Sequence, residues 1–249
     1  MTVSQNWFLA IPQLVLAVGL AAALALCAWG MRAVTFGAAL MGLLITAILC
    51  MAAGPAALVP VLVVFLLTHI TTRIGQRKKE RLGTAEKRHG RGAAQILANL
   101  GVAAICVLPL IFVGHARYLL LAAACAALAE AAGDTVSSEL GQAIGGPPRL
   151  ITNFRRVPPG EDGGVTMAGT LAALVAIAIV CSICQWFDLL LPQFYRMAFL
   201  AAFCGTLVDS LLGATLEGPE RLGNNSVNFS STAFSAALTI SVLFAQRWL

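Results

Sequence analysis

Eight stretches of this chain, at roughly 7–29, 33–53, 56–72, 94–114, 117–141, 165–185, 197–216 and 229–246, are apolar runs near the length that a helix needs to cross a bilayer. A helical crossing of about 30 Å of hydrocarbon takes about 20 residues. Inside lipid every backbone N–H and C=O must be satisfied within the segment or its barrel, so unbroken apolar runs of this length are helices. The short alternating segments of a β-barrel are a different pattern and do not occur here. The expected fold class is therefore all-α, a polytopic integral membrane protein of about eight transmembrane helices, with 1–249 as a single transmembrane domain. Composition agrees: 59% of the residues are apolar and 11% charged, against roughly a quarter charged in soluble domains. Disorder is excluded by the same richness in Ala, Leu, Val and Ile. The first run has no basic residue before it and exceeds the length of a leader's apolar region, so it reads as a retained helix. The third, opened by Gly54-Pro55 and closed by the polar Thr68–Thr72, carries the weakest span signal.

A net charge of +5 suggests nucleic acid only until the charges are located, because eight of the 16 Lys and Arg lie between Arg73 and Arg91. Basic residues collect in cytoplasmic loops. Placing that stretch inside puts Arg32, Arg149, Arg155, Arg156 and Arg221 inside with it, thirteen in all, and leaves Arg117, Arg196 and Arg247 outside. The expectation is a multi-pass protein of the inner or plasma membrane. Its basic loop 73–92 and its loops 142–164 and 217–228 are cytoplasmic, both termini lie outside, and any site faces the cytoplasm.

Three sets of residues in those loops and at their helix ends can carry chemistry. The first is Arg73, Arg77, Lys78, Lys79 and Arg91, followed by Gln95 and Asn99 as an i, i+4 amide stripe entering the fourth span. A polybasic segment held to anionic headgroups accounts for the cations alone, at about 1 kcal/mol each. Amides inside a span need protein or water partners, which points to a built site. The second set is acidic. Glu130, Asp134, Ser138 and Gly141 share one helical face, whereas Glu139 points about 140° away from Asp134, and all three carboxylates fall towards one helix end. Asp209 lies between Gly205 and Gly213, the spacing that lets helices approach closely. Carboxylates in a span cost roughly 2.5–3.5 kcal/mol each on an insertion scale, so they call for a cation or a basic partner. Mg²⁺, which takes one or two carboxylates together with phosphate oxygens, is the expected cofactor, with Asp134, Glu139 and Asp209 as metal-binding and catalytic candidates. Ion pairing with loop arginines is the structural alternative. The third set is two loops. Gly160, Gly163, Gly164 and Thr166 precede a helix N-terminus suited to phosphate, and Asn224 and Asn225 either cap the last helix or ligate a cation. The seven cysteines sit in apolar runs, and Cys181-x-x-Cys184 has no second pair or neighbouring His, so they read as packing residues.

These motifs resemble a known family in their order along the chain. The order is Gln95-x-x-x-Asn99, then Asp134-Thr135-x-Ser137-Ser138-Glu139-x-Gly141, Leu150-Ile151-Thr152, Val157-Pro158-x-Gly160-x-x-Gly163, Asp209-Ser210-x-x-Gly213-Ala214 and Asn224-Asn225-x-Val227-Asn228. This pattern, over about residues 68–245, resembles the integral membrane family that contains the phytyl-phosphate kinases and the animal transmembrane protein 19, distantly similar to dolichol kinase and phosphatidate cytidylyltransferase. The resemblance implies a membrane enzyme that moves a phosphoryl group from a nucleoside triphosphate, CTP above all, to an isoprenoid monophosphate such as phytyl phosphate.

The residues fit such chemistry, since phosphoryl transfer needs metal, cationic clamps and alignment more than covalent help. The implied partners are a nucleoside triphosphate, a prenyl monophosphate and the bilayer, with no nucleic acid and no expectation for oligomeric state. No P-loop motif is present. The competing readings are a transporter or flippase of an anionic or lipid-phosphate solute, a CDP-lipid-forming cytidylyltransferase, and a lipid-binding scaffold. A transporter needs a polar path through the midplane, whereas these carboxylates fall to one side.

Overall fold

The computed structural model describes residues 4–85, 90–112, 116–216 and 222–246. Lys87, Arg88, Arg221 and Arg247 lie outside these residues. The described chain forms nine helices: α1 Ser4–Gly30, α2 Phe36–Ala53, α3 Leu58–Arg73, α4 Gln76–Leu82, α5 Ala93–Val107, α6 Arg117–Ile144, α7 Met167–Trp186, α8 Tyr195–Leu216 and α9 Asn224–Ala245. Eight of them, with their flanking turns, are long and apolar enough to cross a membrane. α4 is the exception, a seven-residue helix inside the basic loop.

α6 is the hub. It packs against α3, α5, α7, α8 and α9. Its Ala122, Ala123, Ala126, Ala127 and Ala129 are wholly buried. Small side chains permit this, because lipid tails are as apolar as leucine and helix association in a bilayer depends on close approach. At Gly133 an added Cβ would lie 2.7 Å from Ile177 Cγ1, and at Gly169 it would lie 2.7 Å from the Ser137 carbonyl oxygen. α1 is peripheral and packs mainly on α2.

Several boundaries differ from expectation, among them the end of α5, which stops at Val107 and continues as a short 3-10 turn to Ile111. α9 begins at Asn224 and not near 229, because Asn224, Asn225, Ser226 and Asn228 read as polar loop in sequence, although Asn228 is buried on the helix, as are Ser231, Thr232, Ser235 and Thr239 farther along it. Their hydroxyls donate to carbonyls of the preceding turn, for example Ser235 to Ser231 at 3.1 Å and Thr239 to Ser235 at 2.9 Å. α6 continues to Ile144, past the apolar run that ends near 141. The connection to α7 contains a two-residue antiparallel pair, β1 Arg149–Leu150 with β2 Gly164–Val165, in an otherwise helical protein. The weakly signalled third span is helical to Arg73, and Thr68, Thr71 and Thr72 donate to carbonyls three or four residues back.

The connections sort to two ends. Arg91 pairs with Val34 through Thr35 N–H to Arg91 O at 3.0 Å and Arg91 N–H to Ala33 O at 3.1 Å. This contact needs Gly90, whose φ is +73° and whose Cβ would fall 2.3 Å from the Ala33 carbonyl oxygen. The basic segment thus shares an end with the α1–α2 turn. At the opposite end Arg117 donates to the carbonyls of Ala52 and Ala53 at 3.1 Å each, neutralising the α2 C-terminus.

Candidate functional site

The buried acidic group is Glu130, Asp134 and Asp209. Glu130 and Asp134 are one turn apart on α6, and Asp209 of α8 lies within hydrogen-bonding reach of Asp134. Glu130 is 1% exposed, and its Oε1 has no hydrogen-bond partner. Ser231 of α9 donates to Asp209 Oδ2 at 3.0 Å and lies within reach of Glu130. Gly205 allows the three helices to meet, since a Cβ there would stand 1.9 Å from Ser235 Oγ and 2.6 Å from Glu130 Cγ. Asp134 and Asp209 are half-buried and so open to a ligand, whereas Glu130 is sealed. Glu130 stands near the middle of the 28-residue α6, deeper than the expected helix end. Among the described residues no three His, Cys, Asp or Glu side chains converge as a protein-only metal centre.

Glu139, a candidate either for the metal with Asp134 and Asp209 or for a basic partner, has the basic partner. It forms an ion pair with Lys79, which is 1% exposed, and accepts a hydrogen bond from Thr72 Oγ1 at 2.8 Å. Lys79 Nζ also donates to the carbonyls of Thr71 and Thr72, at 3.3 and 2.6 Å. The helical direction accounts for this, because the 140° offset aims Glu139 away from α8 and towards α3 and α4. Lys79 is thereby held in a structural bond and is not one of the exposed cations expected for a nucleotide. The expected acidic trio is replaced by Glu130, Asp134 and Asp209. The signal was present as the i, i+4 spacing of Glu130 and Asp134.

The other candidates divide between structure and site. Lys78 Nζ donates to the Ala143 carbonyl at 3.2 Å, closing the α6 C-terminus. Arg77 is exposed on α4. Ser138 is exposed and accepts from Gln142 Nε2 at 3.2 Å. Thr166 caps α7, accepting from the Gly169 N–H at 3.0 Å, so its hydroxyl occupies a donor that a phosphate would use. Gly164 lies in β2. Gly160, with φ +91°, abuts Thr84 of the basic segment. Gly163, with φ +74°, abuts α8, where a Cβ would fall 2.6 Å from the Ser210 carbonyl oxygen. Beside it partial burial, and then the Glu161 carboxylate, push the Asp162 carboxyl above its usual range. Asn224 and Asn225 are exposed in the first turn of α9, whose N-cap is Gly223 and neither of them. Gln95 is half-buried on α5. Asn99 has the partner its burial requires: Asn228 Nδ2 donates to Asn99 Oδ1 at 3.0 Å, tying α5 to α9. The cysteines are free, and Cys181 and Cys184 are buried in the core.

Arg73 and Arg91 do face a site. They lie at the mouth of a cavity of about 730 Å³ walled by α1, α2, α3 and α5, together with Arg32, His69 and Gln76. Arg91 Nη2 donates to Thr72 Oγ1 at 3.1 Å, which joins the mouth to Glu139. Asn99 and Ala131, the chain neighbour of Glu130, line the cavity, whereas Glu130, Asp134 and Asp209 do not.

Three relatives cover most of the chain. It is 36% identical over 185 residues to an uncharacterized membrane protein, sll0875, of Synechocystis sp., spanning 73% of this chain and 72% of that protein. It is 32% identical over 225 residues to Protein PGR of Arabidopsis thaliana, spanning 72% and 78%. Protein VTE6, chloroplastic, of the same plant is 29% identical over 204 residues, spanning 78% of this chain and 61% of its own length. No solved structure matches the chain. The integral membrane protein family DUF92 matches residues 19–236, and the chain, with its acidic group inside a helical bundle and its basic residues at one end, belongs to that family.

Proposed function

We propose that this protein is a membrane kinase that transfers the γ-phosphoryl group of a nucleoside triphosphate, CTP foremost, to an isoprenoid monophosphate. The observation that carries the reading is that one helical bundle holds both the half-buried Asp134–Asp209 pair and a cavity lined by Arg32, Arg73 and Arg91. Carboxylate oxygens for a metal and guanidinium groups for phosphate are the parts that a phosphate-to-phosphate transfer needs. The resemblance of the Asp134–Gly141 block to the phytyl-phosphate kinases supports the same chemistry.

In this reaction an oxygen of the acceptor phosphate bonds to the γ-phosphorus, and the bond from that phosphorus to the β–γ bridging oxygen breaks. The products are the prenyl diphosphate and a nucleoside diphosphate. Asp134 and Asp209 would hold Mg²⁺, which suits a cation that completes its shell with phosphate oxygens and water. The partnerless Glu130 Oε1 beside them fits that donor set. When bound, the ion offsets phosphate charge. Arg73 and Arg91 orient the acceptor, and exposed Arg77 and Arg81 on α4 attract the triphosphate. The site faces the cytoplasm in this reading, so cysteines placed at 84, 160 and 223 label from inside and one at 188 from outside.

The direct test incubates purified protein with Mg²⁺, each labelled nucleoside triphosphate and a panel of prenyl monophosphates. Labelled prenyl diphosphate is expected, and its absence with every nucleotide would end the kinase reading.

A further inference from the structure

The cavity has a polar mouth and an apolar body, and the kinase reading uses only the mouth. α1 packs on α2 and on the turn at Pro55–Ala57, and the space between α1 and α3 stays open. From Thr72 at the mouth to Val61 in the depth, both on its wall, α3 runs eleven residues. At 1.5 Å per residue that is about 16 Å, roughly half of the hydrocarbon thickness. Below the arginines the wall is aliphatic and aromatic, with Leu24, Ala28, Leu43, Val64 and Phe65. Gly42 opens it further, since the nearest heavy atom to an added Cβ is Ile96 Cγ2 at 4.0 Å.

We infer that this cavity is the acceptor-lipid site. A single isoprenoid chain lies between α1 and α3, its monophosphate is held by Arg73 and Arg91, and Gly42 and Thr46 set how long a chain fits. The inference rests on the kinase reading for the identity of the headgroup. The arrangement argues for a lipid whose charge is confined to one end, because the cations of the cleft sit at its mouth and its body is apolar. The position argues for acceptor and against nucleotide, because the polar groups lining the body of the cleft are engaged within the bundle: the Thr46 hydroxyl donates to the Gly42 carbonyl at 2.7 Å, the Thr68 hydroxyl to the Phe65 carbonyl at 3.1 Å, and Asn99 Oδ1 accepts from Asn228 Nδ2 at 3.0 Å. The wall also leads to the acidic group: Asn99 on the cavity side bonds Asn228, three residues before the Ser231 that donates to Asp209.

The full chain in phosphatidylcholine nanodiscs, photolysed with a diazirine-tagged farnesyl monophosphate, tests this without relying on turnover. Labelling is expected on α2 and α3 around Gly42, Val61 and Val64, with competition by untagged farnesyl monophosphate and weak competition by farnesol. Gly42→Leu should weaken competition by geranylgeranyl monophosphate about tenfold or more while geranyl monophosphate still competes, the size of effect that blocking an apolar pocket gives. Gly42→Ala, for which there is room, should behave as the parent and controls for folding. Arg73→Gln with Arg91→Gln should reduce competition by the monophosphates and leave that by farnesol. Labelling confined to α8 and α9, or equal competition by phosphatidic acid, would overturn the site. Cavity labelling without diphosphate formation would sink the kinase and keep the site. Diphosphate formation with an unchanged chain-length profile in Gly42→Leu would do the reverse.

Discussion

The acidic group and the basic cap meet different faces of α6 and solve the problem of charge near a membrane in opposite ways. Asp134 and Asp209 are short side chains, so two long helices must be brought together around them, and Gly205 and the hydroxyl stripe of α9 exist on that seam. The cations are long and flexible. Arg77 and Arg81 reach water from α4, and Lys79 alone turns inward to meet Glu139. Carboxylates are therefore positioned by helix packing, whereas basic side chains position themselves and then hold loops. The difference locates precision in the acidic seam and adaptability in the cap.

The largest expected effect separates a structural ion pair from a metal ligand. Lys79→Met leaves Glu139 buried without its cation and is expected to cost about 3–5 kcal/mol, read as a lower thermal midpoint in detergent. The double variant Lys79→Met/Glu139→Leu should recover much of that loss. If Glu139→Gln instead abolishes transfer with no change in midpoint, Glu139 belongs with the acids after all.

Next in size, Asp134→Asn and Asp209→Asn should each lower kcat about 100-fold or more, the scale of losing one preorganised electrostatic group, while the protein stays monodisperse. Full activity in either would remove the acidic seam from the chemistry. Gly205→Ala should be destabilising by about 1–3 kcal/mol through overpacking against Ser235 and Glu130. An unchanged midpoint there would show the seam to be looser than described. The smallest effects belong to the cap. Arg77→Gln is expected to raise the nucleotide KM a few-fold with little change for lipid, and Lys78→Gln to cost about 0.3–1 kcal/mol at the α6 C-terminus. Weaker binding to anionic vesicles alone, with no KM change, would make the cap a headgroup anchor.

Hydropathy and charge were enough to establish the class of molecule, its eight crossings and which loops share an end, because lipid forbids unpaired backbone and each apolar run must be a helix. The face shared by Glu130 and Asp134 was equally legible from the 3.6-residue period. Hydropathy missed the first turn of α9, since Asn224, Asn225, Ser226 and Asn228 score as polar whether they are exposed, as the first three are, or buried in the bundle, as Asn228 is. Only tertiary structure decided which acids act together. A helix angle says that Glu139 points elsewhere but not that Lys79 waits there, and no spacing rule connects residues 79 and 139 or 99 and 228. Periodicity fixes directions within one helix, and partners depend on how separate helices are packed, which small residues such as Gly205 permit and the whole bundle determines.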